Sequence, residues 1–362
     1  MNSNFGLTYS GKPVLITGHT GFKGGWLALW LHQLGAKVHG YALDPPTTPN
    51  FFDVAGVGSA LESDTRGDVT DLPGLKATLG TQRPEVIFHL AAQPLVRASY
   101  CSPGETMATN VMGTANLLEA ARASDSVKAL VLITSDKVYL NREWPFAYRE
   151  VDSLGGHDPY SASKAAAEIV AASYRASFFS GDNGHPASVA TARAGNVIGG
   201  GDWAPDRLVP DCLRAFAQHK PVHLRFPASI RPWQHVLEPL AGYLRLGERL
   251  LEEQPEAFAC AWNFGPDVDS NASVGQVTEA LARLWADDAQ VQLAASATNP
   301  HEAGLLRLDS TLARTVLGWQ PRWSLEEALA ATVAWYRAWA SGADMAVFSR
   351  DQIRAYEMAG KA

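Results

Sequence analysis

Residues 13–24 read PVLITGHTGFKG: a short apolar run that breaks into Gly18, Gly21 and Gly24 and then into a helical pattern. Few junctions constrain a fold so tightly. A glycine at a strand end permits a tight turn, and further glycines let the backbone approach a diphosphate with no Cβ in the way. The helix opening at Phe22 offers free N–H groups and the positive end of its dipole to phosphate. Gly18, Thr20, Gly21, Phe22, Lys23 and Gly24 are therefore the candidate phosphate-loop residues. The GxxGxxG spacing is a variant of GxGxxG, and it predicts a parallel sheet carrying a dinucleotide at its carboxyl edge.

The rest of the first half follows that pattern. Trp26, Leu27, Leu29, Trp30, Leu31 and Leu34 give residues 22–34 an apolar helical face, ended by Gly35. Residues 36–44 (AKVHGYALD) form a second strand, followed by the Pro-rich loop PPTTPN. A third strand precedes Asp68. VIFHLAA (86–92) and ALVLIT (129–134) are continuous apolar runs, as in strands buried on both faces, with a helix at 109–123 between them. ASVATARA (187–194) closes the regular portion. Beyond it, GNVIGGGDW (195–203) reads as a loop, with helices at 206–218, 236–253, 272–286 and 325–340 and short strands near 222–225 and 261–264. The expected architecture is α/β: a Rossmann-type doubly wound parallel sheet over 1–195, and a smaller C-terminal α/β substrate-binding cap over 196–362, separate from the first or interleaved with it.

Composition supports a globular protein. The chain has 362 residues, 46% hydrophobic and 19% charged, enough to fill and solvate a large core. A net charge of −7 gives no global field for nucleic acid or an anionic membrane. Cys101, Cys212 and Cys260 lie far apart, matching neither a disulfide framework nor a metal motif. His89 and His235 lack ligand spacing, so no metal is expected and packing is the reading for both. With no signal-peptide pattern and no spanning run, a cytoplasmic protein is expected.

Asp44, 20 residues beyond Gly24, ends the second strand; a carboxylate there accepts from a ribose 2′-OH and repels a 2′-phosphate, favouring NAD over NADP. Asp68 suits an adenine contact or a helix N-cap. Asp158-Pro159 is a helix start, and Tyr160 and Lys164 then share one face. The Lys164 ammonium is expected to lower the Tyr160 pKa and make a phenolate base accessible. Ser135, after a buried strand, can hold a substrate oxygen opposite it.

TGHTGFKGGWL, HLAAQ, TNVMGTANLLEA, SDKVY and YSASK together resemble the extended short-chain dehydrogenase/reductase family. The likeness continues through LDSTLARTVLGWQPRWSLEEALAATVAWY and so covers nearly the whole chain. It implies bound NAD, with Val69, Leu90, Ala91, Ala92, Gln93 and Thr109 among its contacts beside Tyr160 and Lys164. It further implies a nucleotide-diphosphate sugar as substrate, a homodimer or homotetramer, and a place in deoxysugar and surface-polysaccharide precursor synthesis.

Within the family, a 4,6-dehydratase needs an acid for the C6 oxygen and a base for C5 besides Ser135, Tyr160 and Lys164. Asp136 and Lys137 are the candidates. Relatives acting on dTDP-glucose carry Asp-Glu there, whereas Asp-Lys is similar to the branch acting on CDP-glucose. Lys137 is read either as the base or as an ion-pair partner of Asp136 or Glu143. Asn196, Arg207, Arg225 and Arg231 are candidate contacts to the diphosphate and sugar. Trp203 and Trp233 could stack on a base, although packing is the ordinary role for such residues. A 4-epimerase, a dehydratase of another nucleotide sugar and a non-catalytic NAD-binding module are the alternatives.

Overall fold

The computed structural model describes residue 5 and residues 7–180, 184–224, 226–252, 254–267, 270–286, 289–293 and 304–359. The first half holds strands β1 (Pro13–Thr17), β2 (Lys37–Ala42), β3 (Ser63–Arg66), β4 (Val86–His89), β5 (Ala129–Ile133) and β6 (Ser188–Arg193). Its helices are α1 (Phe22–Gln33), α2 (Phe51–Val54), α3 (Leu72–Gln82), α4 (Val96–Cys101), α5 (Pro103–Met107), α6 (Gly113–Arg122) and α7 (Pro159–Phe178). The second half adds β7 (Val197–Ile198), α8 (Leu208–Ala217), β8 (Val222–Leu224), β9 (Ile230–Pro232), β10 (Gln234–His235), α9 (Leu237–Arg249), β11 (Ala261–Asn263), β12 (Asn271–Ser273), α10 (Val274–Trp285), β13 (Val291–Leu293), α11 (Leu325–Ala340) and α12 (Met345–Met358).

The apolar runs are continuous because both faces of the sheet are covered. Val14, Ile16, Val86, Phe88, Ala129 and Val131 enter one buried cluster with residues of α1, α9, α11 and α12. Leu15, Ile87, Leu130 and Leu132 enter another, with Leu75 and Leu79 of α3, Leu117 and Leu118 of α6 and Ala171 of α7. The two-residue period of a strand makes this division, and it defines the doubly wound architecture. The strand order is β11-β6-β5-β4-β1-β2-β3, parallel throughout. In α1, Trp26 is fully buried, stacks on Phe51 at 4.8 Å and donates its Nε1–H to Gly200 O at 2.9 Å. Burying a large apolar side chain of this kind contributes roughly 1.5–3 kcal/mol.

Three elements depart from expectation. The strand near 261–264 is no part of a separate cap: β11 pairs with β6 and extends the main sheet, so the two halves interleave. Within GNVIGGGDW, β7 pairs in parallel with β10, so the stretch is not wholly a loop. Helix α12 was not anticipated; it packs on α1, where Trp30 meets Tyr356 edge-on at 5.6 Å and donates to Glu357 at 2.9 Å. The helix expected at 109–123 opens with a wide turn over Ala108–Met112. Among the described residues, no helix is long and apolar enough to cross a membrane, and no cluster of three potential metal ligands occurs. His89 bonds Thr17 at 2.7 Å and His235 is wholly buried; burial pushes both imidazoles down to about 3.

Candidate active site

The site lies where strand order reverses between β1 and β4. Thr17 is in register with Tyr41 on one side and His89 on the other. The chain leaves β1 with Gly18 N–H donating to Tyr41 O at 2.9 Å, and Leu90 N–H donating to Thr17 O at 3.0 Å. Gly18 has φ +78°, and a Cβ there would come within 2.6 Å of Ala91 N. At Gly24 a Cβ would lie 2.1 Å from Gly18 O, so this glycine closes the loop onto its own helix. Gly21 is different: the nearest atom to its Cβ would be 3.4 Å away, and it leaves the mouth of the loop open. Helix α1 begins with no side-chain cap and no acidic residue in its first turn. Its first N–H groups and dipole therefore suit a diphosphate, and the loop fits a dinucleotide.

Asp44 lies just past β2, 89% exposed, with Arg66 Nε 3.7 Å from its carboxylate. Thr20 is tied to the same turn, donating to Leu43 O at 2.9 Å. Asp68 accepts from Thr70 N–H at 2.8 Å, a turn-capping bond, while Val69 packs under Gly113. Leu90, Ala91 and Ala92 follow β4 and are half-buried. Gln93 is committed to holding the loop: its amide bonds Thr106 at 2.9 Å and Leu95 at both 3.1 and 2.6 Å. Thr109 sits in the wide turn. Its neighbour Asn110, not singled out from the sequence, accepts from Gln93 N–H at 2.8 Å and donates to Ser163 Oγ at 2.8 Å. This amide links the β4 loop to the helix turn between Tyr160 and Lys164; a lone Asn on a helical pattern gave no signal of it.

Helix α7 starts as expected. Asp158 caps it, accepting from Ser161 N–H at 2.9 Å, with Pro159 in the first turn. Tyr160 and Lys164 are both buried. The Lys164 ammonium donates to Ile133 O at 3.3 Å, at the end of β5. Burial lowers this lysine to about 8, opposed by the charge of Glu168. The expected low phenol pKa is not found. Burial pushes Tyr160 up, with Ser135 hydrogen bonding and the Arg207 charge pulling it down and Asp136 adding to the rise. Desolvation of the phenolate outweighs these nearby stabilising groups.

Ser135 donates to Asp136 Oδ1 at 3.0 Å and accepts from Lys137 N–H at 3.2 Å. Asp136 is almost completely buried, and its Oδ2 has no hydrogen-bond partner among the described residues. Gly195 presses its backbone on this carboxylate; a Cβ there would lie 1.8 Å from Oδ2. Among the described residues no carboxylate is within ion-pair distance of the Lys137 ammonium, and Glu143 instead accepts from Gly304 N–H at 2.9 Å.

Lys23 points the same way. Burial, then the charges of Arg207 and Lys164, lower it to about 7, while Asp136 and Asp202 counter them. Arg207 bonds Asp202 at 3.0 Å and acts electrostatically on both Lys23 and Tyr160, which puts it at the site. Asn196 follows β6 with φ +43° and is half-buried. Arg231 is buried in β9 and donates to Ile230 O at 2.9 Å. Arg225 lies outside the described residues. Trp203 packs edge-on against Trp335, Tyr336 and Trp339, and Trp233 donates to Ala272 O at 2.9 Å, so both are packing residues.

A switch-point glycine loop facing a Ser135, Tyr160 and Lys164 grouping defines an extended short-chain dehydrogenase/reductase. Residues 15–332 match the family model described as GDP-mannose 4,6 dehydratase, and the chain belongs to that family. It is 50% identical over 350 residues to the CDP-glucose 4,6-dehydratase of Salmonella typhimurium strain LT2, covering 96% of this chain and 97% of that one. It is 28% identical to MoeE5 in complex with UDP-glucuronic acid and NAD (TM-score 0.72; 90% and 98% of the two chains). The fold is shared with epimerase Mth375 of Methanothermobacter thermautotrophicus (TM-score 0.77, 23% identity, 96% of each chain).

Proposed function

We propose that this chain converts CDP-glucose into CDP-4-dehydro-6-deoxyglucose and water, with NAD restored at the end of each turnover. The near full-length 50% identity to the Salmonella enzyme carries this reading. The Asp136-Lys137 pair beside Ser135 supports it. Bound NAD supplies a hydride acceptor for sugar C4 and, later, a hydride donor for C6.

The residues divide the proton work. Ser135 holds the 4-oxygen, and Tyr160 takes its proton. The Ser135 hydrogen bond and the Arg207 charge offset part of the cost of a buried phenolate, and Lys164, one helical turn along the same face, is cationic below about pH 8. A 4-ketone acidifies the proton on C5, and Lys137, which has no carboxylate partner among the described residues, removes it. Asp136 protonates the departing C6 oxygen. Its Oδ1 already accepts from Ser135, so Oδ2 is the oxygen that can carry the proton. Arg207 and Lys23 supply positive charge for phosphate groups, and Asn196, at the exit of β6, and Arg231, in β9, are the candidate sugar contacts.

The test is incubation of purified protein with CDP-, dTDP-, UDP- and GDP-glucose and detection of 4-keto product. Product from CDP-glucose at a rate at least about tenfold above the others is expected, on the order of one good polar contact. Equal rates would sink the base assignment, and no product from any would sink the activity.

A further inference from the structure

Two consecutive residues leading into Ser135 are held by the same face of α7. Ile133 O accepts from Lys164, and the Thr134 hydroxyl donates to Glu168 Oε1 at 2.5 Å. Lys164 and Glu168 are four residues apart and so lie one above the other on the helix. Glu168 is buried, and its other oxygen accepts from Thr191 Oγ1 and from Arg193 Nη2, each at 2.7 Å, both in β6. Arg193 in turn donates at 2.9 Å to Tyr139, three residues past Asp136, and that phenol donates to Asn263 of β11 at 2.6 Å. The carboxylate therefore ties α7 to the ends of β5 and β6, on either side of the Ser135-Asp136-Lys137 segment.

We propose that Glu168 is a positioning residue for the reaction: it locks the end of β5 against α7 and so holds the Lys164 ammonium, which bonds that same strand end, beside Ser135 and Tyr160. The proposal rests on the functional reading above for its substrate, but not for its cofactor arm. Other charges facing Lys164 are Lys23 of α1, which repels it, while His89 of β4 is neutral because it is deeply buried. Asp136 and Tyr160 face the site from β5's exit and from α7 itself. Glu168 is the group whose charge opposes the desolvation of Lys164. Arg193 shares that carboxylate, and its own charge is stabilised by Glu168 and Tyr139.

The experiment compares wild type with Glu168→Gln, which keeps shape and hydrogen-bonding reach but removes the charge. The first readout is NAD affinity against pH, by quenching of tryptophan fluorescence, which uses no sugar. The second is the single-turnover oxidation of CDP-glucose against pH. In Glu168→Gln the alkaline limb of both profiles should move down by about one pH unit, as expected for loss of a neighbouring opposite charge. The oxidation rate at its optimum should fall by about tenfold or more, with KM changed far less, since misplacement of reacting groups affects the chemical step. A folded Glu168→Gln protein with both limbs at the wild-type pH would overturn the proposal. If that variant does not fold, Thr134→Val decides: it deletes one donor at the β5 end and should slow oxidation about threefold or more, by the same misplacement. A wild-type rate in Thr134→Val would then overturn the proposal. Failure of wild type to oxidise CDP-glucose would count against the functional reading alone, because the NAD arm stays readable.

Discussion

Asp136, at the exit of β5, and Glu238, at the start of α9, are both almost completely buried, but their oxygens are served differently. Glu238 accepts from Arg322 N–H at 3.0 Å, from Trp323 N–H at 2.8 Å and from the Tyr356 hydroxyl at 2.6 Å. Its partners come from the chain before α11 and from α12, and it fastens the C-terminal region to the core. Among the described residues Asp136 has one donor, Ser135, and an Oδ2 with none. Protein donors compensate much of the burial of Glu238, whereas Asp136 keeps one oxygen without a donor among the described residues. A carboxylate that must exchange protons with substrate is kept under-coordinated, and one that holds helices together is saturated.

Removing groups from each side tests that contrast. The largest effect is expected from Tyr160→Phe, which removes the base for the 4-OH while the aromatic ring still fills its buried place. Oxidation of CDP-glucose should slow by ~10²–10⁴-fold, read as loss of the reduced-cofactor absorbance on mixing. Near-normal turnover would refute the role of the phenol. Next comes Asp136→Asn. Oxidation should continue, elimination should slow by about 10²-fold, and exchange of solvent deuterium into C5 should persist, because only the acid for the C6 oxygen is lost.

The smallest effect belongs to the saturated carboxylate. Burial raises Glu238 from 4.5 to about 7, its hydrogen bonds opposing the rise. A raised acid binds its proton more tightly in the folded state, so its contribution to stability is present below 4.5 and is lost as pH rises toward about 7. Glu238→Gln should remove that slope: the Tm of the variant relative to wild type should rise between pH 5 and 8, by about 2–4 °C. Activity should stay within about twofold, since residues distant from the chemistry act nearly independently of it. A parallel pair of Tm curves would show that Glu238 does not titrate in this range.

The same division governs what could be read from the sequence. β1, β4 and β5 are legible because strands covered on both faces must be apolar at every position, and the glycine loop is legible because its spacing follows an apolar run and opens a helical pattern. Ser135 at a strand end, and Tyr160 and Lys164 one turn apart after a helix start, each carry a local signature, and the fold buries all three. β11 was placed in a cap because three residues, AWN, carry no period that says which sheet they join. α12 mixes charged and aromatic positions and was passed over, although Asp344 caps it. The Tyr160 pKa was misjudged because YxxxK spacing reports proximity but not desolvation, which dominates here. Glu168 and Asn110 gave no signal, since a polar residue on a helix reads as solvated until packing shows it buried. Arg207 and Arg231 look alike in sequence, yet one faces the charged groups of the site and the other lies within β9.

Asp136 and Lys137 act after the step that Tyr160 controls, and Lys137→Ala tests this most directly. Rapid mixing of that variant with CDP-glucose should show the reduced-cofactor absorbance rise and persist, while C5 deuterium exchange falls by ~10²-fold or more, the usual cost of losing a general base. An absorbance that never rises, with the protein folded and NAD bound, would mean that Lys137 is needed for the first oxidation and would contradict the assignment of the pair to elimination.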